Sequence, residues 1–202
     1  MRLSARLKRD WRFFRGLMRT LKRVRSIAPD SPNLICDDLQ EAAGRWSTRP
    51  AMSFEGRTVT YGELDQMANR YAHWARSLNL RRGQTVALFM PNRLEYLPIW
   101  YGLSKVGVIC ALINNQLTGS GLAHCLNISN ALHVLVDADT SAALMAARDQ
   151  LTRHVHVWNH SAPAQDQRDL TNALKSCSSL RPDRLDSRGA LRASDIALLI
   201  YT

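Results

Sequence analysis

Short apolar runs that alternate with helical segments constrain the fold of this chain more than any other feature of its sequence. The mostly apolar runs are 86–90, 108–113, 132–136, 154–158 and 195–200. Segments with apolar residues at helical spacing separate several of them, namely 93–106, 118–129 and 140–151. Apolar runs this short are typical of strands buried on both faces of a sheet. Their alternation with helices predicts an α/β fold, in which helices cover both faces of a mostly parallel sheet.

The region before the first of these strands carries two local signals. The dipeptide 55–56 (Glu-Gly) separates two short apolar stretches and predicts a β-hairpin. Thr60 and Glu63 have the spacing of a capping box, and they predict the start of a helix that runs to Asn79. Another helix is predicted over 34–46. We interpret the capped helix as part of the scaffold.

The basic residues are concentrated at the amino terminus. Residues 1–25 hold ten Lys and Arg residues and one acid, Asp10, whereas the whole chain has 27 basic and 17 acidic residues. The formal charge of +10 therefore belongs almost entirely to this leader, and the body is close to neutral. Zinc-finger spacing and an RNA-binding aromatic motif are both missing, so we expect no nucleic-acid partner.

On a helical projection the leader is amphipathic, with a stripe of apolar residues opposite a face of Lys and Arg. This pattern is typical of a helix that lies in a membrane interface, and several cations together attract an anionic leaflet. We therefore expect a cytoplasmic protein, peripheral on the inner face of a membrane. The predicted membrane-contact residues are Trp11, Phe13, Phe14, Leu17, Arg12, Arg15 and Arg19.

Three other interpretations of the leader stay open. Its apolar stripe could pack on the protein's own body, the leader could be a mitochondrial transit peptide, or it could bind nucleic acid. It lacks the uninterrupted apolar segment of a secretory signal. No stretch of the sequence is long and apolar enough for a transmembrane helix. We divide the chain into an amphipathic interface helix at 1–28 and a body at 29–202.

Local motifs predict neither a catalytic group nor a metal site. His154, His156 and His160 form the only histidine cluster, but no carboxylate or cysteine lies at ligand spacing. Asp137 and Asp139 follow a predicted strand, where aspartate more often caps a turn or a helix. The four cysteines are widely spaced, which fits free thiols rather than a disulfide framework.

The polar segment 159–194 interrupts the alternation of strands and helices. It is rich in Ser, Asp, Arg, Gln and Pro, so we predict a linker or a loosely packed segment with one helical turn at 170–174. The strand 195–200 follows, and the sequence stops where a βα unit would turn into a helix. We expect an open sheet edge there, which favours self-association or a partner chain.

Several of these segments, in this order and spacing, resemble adenylate-forming enzymes. Residues 54–64 (FEGRTVTYGEL) are similar to the opening hairpin and helix of that superfamily. Residues 86–93 (VALFMPNR) and 100–107 (WYGLSKVG) are similar to its fatty acid transport protein branch, which contains the very-long-chain acyl-CoA synthetases. The resemblance continues through 111–114 (ALIN) and 196–202 (IALLIYT).

The resemblance implies that the full-length enzyme uses ATP and Mg²⁺ to convert a fatty acid to an acyl-adenylate and then transfers the acyl group to CoA. It implies that Tyr201 and Thr202 form the lip of the loop that holds the phosphates of ATP. Family members continue after this Tyr-Thr pair with small residues whose backbone N–H groups face the phosphates. No catalytic residue is implied within this chain.

We therefore expect the N-terminal part of a long- or very-long-chain fatty acyl-CoA synthetase, truncated before its phosphate loop. Such a chain would be inactive unless a complementing carboxyl-terminal chain supplied that loop. Two alternatives remain. One is a non-catalytic membrane-binding or interaction fragment, and the other is a ligase for another carboxylic acid, such as a carnitine-like or bile-acid-like one.

Overall fold

A computed structural model describes residues 2–25, 28–161, 163–183 and 190–201 of the chain. The helices in that part are α1 (Arg2–Arg25), α2 (Ile35–Trp46), α3 (Tyr61–Ser77), α4 (Tyr96–Lys105), α5 (Gly119–Ser129), α6 (Ala138–Ala147) and α7 (Leu170–Lys175). The strands are β1 (Pro50–Phe54), β2 (Arg57–Thr60), β3 (Thr85–Phe89), β4 (Ile109–Leu112), β5 (His133–Val136), β6 (His156–Asn159), β7 (Arg168–Asp169) and β8 (Leu198–Ile200).

The main sheet has six strands among the described residues, in the order β7-β6-β5-β3-β4-β8. Every neighbouring pair in it is parallel. β1 and β2 form a separate antiparallel hairpin. The α/β fold with a parallel sheet and the hairpin are therefore confirmed. The strand predicted over 195–200 begins only at Leu198 and is the edge strand β8 rather than a strand buried on both faces. Its Ile200 pairs with Leu112 of β4 and keeps an exposed side chain.

Alternation of side chains along the central strand builds two buried cores. Val86 and Leu88 of β3 pack with α3, α4 and α7, whereas Ala87 and Phe89 pack with α5 and α6 on the other face. All four side chains are fully buried. A strand covered on both faces needs apolar residues at successive positions, which explains the continuous apolar runs. The helices that follow β3 and β4 thus lie on opposite faces of the sheet.

Two side-chain caps fix where helices begin. The predicted capping box is present, because the Glu63 carboxylate accepts from the Thr60 N–H at 2.8 Å and the Thr60 hydroxyl accepts from the Glu63 N–H at 3.3 Å. The predicted start of α6 at Thr140 is wrong by two residues. The Asp137 carboxylate accepts from the N–H groups of Asp139 and Thr140 at 3.1 Å each, so the helix begins directly after this cap.

Other element boundaries also differ from the prediction. The helix predicted from residue 93 begins at Tyr96, because Pro98 lacks the N–H that the interior of a longer helix would need. In the first turn of α4 that missing donor costs nothing, since the N–H groups there have no partner within the helix. The strand predicted over 154–158 begins two residues later, at His156, and ends at Asn159.

Most described residues of the segment 159–194 are exposed, but hydrogen bonds hold part of it against the body. Its helical turn is present as α7, in which Leu170 is fully buried. Residues 176–183, called the strap here, lie along α3. The side chain of Asn69 donates to the carbonyl oxygen of Ser179 at 2.8 Å, and Arg70 donates to that of Cys177 at 2.8 Å. These contacts use backbone carbonyls, which composition does not reveal.

Candidate functional site

A cleft of about 270 Å³ opens at the carboxyl ends of β3, β4 and β8. Its walls come from residues 90–92 after β3, residues 112–115 at the end of β4, residues 200–201 of the edge strand, and Tyr96 of α4. Because α4 and α5 cover opposite faces of the sheet, the loops that follow β3 and β4 separate here. Ligands of open parallel sheets bind in such a crevice.

The described side chains that line this cleft offer neutral hydrogen-bonding groups beside an apolar wall. Asn92, Asn114 and Asn115 contribute carboxamides, and the carboxamide oxygen of Asn114 accepts from the N–H of Gln116 at 3.0 Å. Burial raises the pKa of the Tyr96 phenol, so this group stays protonated and can donate. The lining as described therefore suits binding and positioning rather than acid–base or nucleophilic chemistry.

Tyr201 is the predicted nucleotide-contact residue that the structure describes. Its backbone nitrogen lies 3.5 Å from the carbonyl oxygen of Leu112, so the chain leaves β8 beside the end of β4. The side chain lines the cleft, and burial raises the pKa of its phenol. The other predicted contact, Thr202, lies outside the described residues. The structure thus places Tyr201 at the border of the cleft.

A polar cluster beside the cleft joins the ends of β5 and β6 to the loop after β3. The buried Asp137 carboxylate accepts from Arg93 at 3.0 Å, and Arg93 also donates to Ser161 at 3.0 Å. The Tyr71 hydroxyl lies 2.5 Å from Nε2 of His160, and burial lowers the pKa of that imidazole. Since Asp137 also caps α6, the cluster fixes the loops, and the structural interpretation of Asp137 is confirmed.

The histidines singled out in the sequence do not converge. The rings of His154 and His156 lie 5.4 Å apart between centroids, whereas His160 bonds to Tyr71. His133 joins the strand histidines instead, and it accepts a hydrogen bond from Trp158 Nε1 at 3.0 Å. Within the described residues, no three His, Cys, Asp or Glu side chains are arranged to hold a metal ion.

The leader forms the helix α1, as predicted, and the six expected membrane-contact residues whose side chains are described are all exposed. Trp11, Phe13, Phe14 and Leu17 are exposed on its apolar side, and the side chains of Arg15 and Arg19 are exposed as well. The side chain of Arg12 lies outside the described part of the structure. None of the described helices is long and apolar enough to cross a membrane.

The sequence analysis missed a buried charged network between α3, α4 and the strap. The fully buried ammonium of Lys105 donates to Asp65 at 2.5 Å and to Asn69 at 2.6 Å, and Arg181 of the strap donates to the other Asp65 oxygen at 2.9 Å. Burial lowers the pKa of Lys105, and the Asp65 carboxylate opposes that shift. The sequence signal for this network was Lys105 within the apolar helix α4, together with Asp65 and Asn69 four residues apart on α3.

Comparison with known proteins identifies the class to which this cleft and sheet belong. The family model described as AMP-binding enzyme matches residues 39–202. The chain therefore belongs to the AMP-binding enzyme family.

The individual relatives show which branch of this family the chain is similar to. Long-chain fatty acid transport protein 6 of Mus musculus is 35% identical over 106 residues, which are 52% of this chain and 17% of that protein. A long-chain-fatty-acid–CoA ligase of Escherichia coli is 28% identical over 125 residues, 61% of this chain and 22% of that protein. The resemblance to the fatty acid transport protein branch is thereby confirmed.

A solved structure matches the fold over most of the chain. The fatty acyl CoA synthetase of Mycobacterium tuberculosis superposes with a TM-score of 0.71 at 25% identity, covering 83% of this chain and 32% of the other. The chain spans about a fifth of the length of the curated relatives that it matches.

Proposed function

We propose that residues 29–202 form the N-terminal part of the AMP-binding domain of a long- or very-long-chain fatty acyl-CoA synthetase. The observation that supports this most directly is the position of Tyr201, where the chain leaves β8 at the border of the cleft. A backbone that leaves a parallel strand at such a crevice is well placed to present N–H groups to a phosphate. The fatty acid transport protein relatives favour a fatty acid as the substrate.

The proposed reaction joins a fatty acid to CoA in two steps. The fatty-acid carboxylate attacks the α-phosphate of ATP and pyrophosphate leaves, which gives the acyl-adenylate. The sulfur of CoA then attacks the acyl carbonyl and AMP leaves. In this scheme the described residues contribute a wall of the cleft, with the Asn carboxamides and the protonated Tyr96 phenol available to position a ligand.

The described lining does not fit a magnesium ion, which prefers carboxylate, phosphate and water oxygens. No carboxylate is among the described side chains at the cleft, and the nearby Asp137 is occupied by Arg93 and by the cap of α6. A cationic donor to the phosphates is also missing from this lining. We therefore propose that the chain alone does not adenylate a fatty acid and that the phosphate contacts come from residues outside these 202.

ATP–pyrophosphate exchange with palmitate and oleate tests this proposal. We expect no exchange from the 202-residue chain and fatty-acid-dependent exchange when the chain is fused to the remainder of the Escherichia coli ligase. In the fusion, Tyr201→Pro removes the N–H at the end of β8 and should abolish exchange, whereas Tyr201→Phe keeps the backbone and should retain it. Carnitine, cholate and benzoate serve as competing acids.

Three results would contradict the proposal. Exchange by the chain alone would show that it holds a complete nucleotide site. A fusion that unfolds cooperatively yet exchanges only with carnitine, cholate or benzoate would assign a different acid. A fusion that folds and exchanges with no acid would leave the chain as a binding module without a role in adenylation.

A further inference from the structure

The apolar side chains of α1 that the structure describes are exposed. The rings of Trp11 and Phe14 stack with their centroids 6.3 Å apart, so they form one continuous surface. Large apolar side chains along the helix are between 44% and 73% exposed, namely Trp11, Phe13, Phe14, Leu17, Met18 and Leu21. None of them belongs to the buried cores of the described residues. Packing on the protein's own body therefore does not explain this stripe.

The charge of α1 restricts what can cover this surface. The leader has ten basic residues and one acid, while the rest of the chain is almost neutral. The side chains of Arg15 and Arg19 are exposed. The surface that covers α1 must therefore be apolar where it meets the stripe and negatively charged beside it. An anionic bilayer has both properties at the depth of one helix, whereas a nucleic acid offers only the charge.

The length and pattern of α1 indicate how it would meet a bilayer. Twenty-four helical residues extend about 36 Å at 1.5 Å per residue, so the stripe can lie along a membrane surface. The helix does not qualify as a membrane span. On a helical projection, Asp10 falls among the apolar residues near Leu17 and Leu21, which limits how deeply this side can enter hydrocarbon. The geometry favours the headgroup boundary.

We propose that α1 is a membrane-docking helix that lies in the plane of an anionic lipid bilayer. The Trp11, Phe14 and Leu17 side of the helix enters the boundary between headgroups and acyl chains, and the basic side contacts the lipid phosphates. The helix binds reversibly, because its attachment depends on a short apolar stripe and on electrostatic attraction. This docking does not depend on the proposed ligase function, although it would hold the chain where fatty acids dissolve.

Co-sedimentation of the 202-residue chain with lipid vesicles tests the docking helix. We expect binding to vesicles of 70% phosphatidylcholine and 30% phosphatidylglycerol, weak binding to pure phosphatidylcholine, and loss of binding as salt rises to about 0.5 M. Arg15→Gln with Arg19→Gln should weaken binding to the anionic vesicles about twenty-fivefold, since each cation contributes about fivefold. Trp11→Ser with Phe14→Ser should weaken binding to them at least about tenfold.

Matched variants on the body control for lost charge and lost apolar surface. Arg57→Gln with Arg153→Gln removes two exposed cations, and Ile128→Ser with Leu180→Ser removes two exposed apolar side chains. Both pairs should leave vesicle affinity within about twofold of the unmodified chain, because neither touches α1. As a second readout, the anionic vesicles should shift tryptophan emission to shorter wavelength, and Trp11→Phe should remove that shift.

Three outcomes would overturn the proposal. One is equal loss of binding in the body variants, and another is equal affinity for anionic and neutral vesicles. The third is binding to duplex DNA as tight as to vesicles, with Trp11→Ser and Phe14→Ser affecting neither, since charge alone would then account for attachment.

Discussion

Two amphipathic helices of this chain have opposite environments. α3 buries its apolar side against α4 and the sheet, with Tyr71 and Trp74 almost inaccessible, whereas α1 leaves Trp11 and Phe14 exposed. Periodicity alone does not separate them, since both carry an apolar stripe. The polar sides of the two helices do distinguish them, because α3 carries both acidic and basic residues and α1 is almost uniformly basic. If α1 docks on lipid as proposed, the charge pattern of its polar face is the sequence feature that distinguishes it from α3.

The largest expected effect compares a tryptophan on each helix. Trp74→Ala should lower the free energy of unfolding by about 4 kcal/mol, because the side chain is 1% exposed and meets Trp158 edge to face at 5.2 Å. Trp11→Ala should change it by less than about 0.5 kcal/mol, because that side chain is 61% exposed. Urea unfolding followed by far-UV circular dichroism measures both. Similar losses in the two variants would mean that α1 packs on the body.

The buried charge on α3 provides the next comparison. Asp65→Ala should cost about 3 kcal/mol of unfolding free energy, because it leaves the buried Lys105 ammonium without its carboxylate and releases Arg181 of the strap. The double variant Asp65→Leu with Lys105→Met should recover most of that loss, since no fully buried unpaired charge remains and Arg181 is half exposed. The same urea titrations report the result. If Asp65→Ala changes stability by less than 1 kcal/mol, the network does not fasten the strap.

These elements differ in how much of them the sequence reveals. The sheet was predictable because each central strand is covered on both faces and so is continuously apolar, as Val86 to Phe89 are. The start of α6 was predicted two residues late, although Asp137 is the cap residue that marks it. Pro98 similarly marks the first turn of α4. The strap escaped prediction because its partners on α3 bind backbone carbonyls, which any residue can supply.

The candidate site was only partly predictable, for a related reason. Tyr201 was identified through the family resemblance, whereas the cleft depends on the order of β3, β4 and β8 in the sheet. Asn114 and Asn115 line the same cleft as Tyr96 only because the helices lie on opposite faces of the sheet. Local sequence carries no information on that placement, because it follows from the connections between strands.

The pH dependence of stability should also distinguish the body from α1, with a smaller expected effect than the two substitutions above. Burial lowers the pKa of His133 to about 4, and its Nδ1 accepts from Trp158 Nε1. Between pH 6.5 and 4 the unfolded chain binds more protons at this residue, so the free energy of unfolding should fall with pH by about 2 kcal/mol. His133→Gln, which keeps an acceptor, should reduce that fall. His156, whose pKa is also lowered, leaves a residual slope.

Vesicle binding by α1 should respond differently over the same pH range. Arginine side chains stay protonated throughout this range, so affinity for anionic vesicles should stay constant. Parallel urea titrations and vesicle co-sedimentation at pH 6.5, 5.5 and 4.5 distinguish the two regions. A loss of vesicle affinity that follows the loss of stability would indicate that docking requires the folded body rather than α1 itself.

The smallest expected effect concerns the single acid of the leader. Asp10→Asn raises the charge of α1 by one and removes a carboxylate from the apolar side of its helical projection, so anionic vesicles should bind about fivefold more tightly. Asp139→Asn makes the same change at an exposed position on the body and should have no effect on vesicle affinity. Neither variant should alter unfolding by more than about 0.5 kcal/mol. Equal gains from both would assign the attraction to net charge, whereas a gain from Asp10→Asn alone would mean that α1 itself meets the membrane.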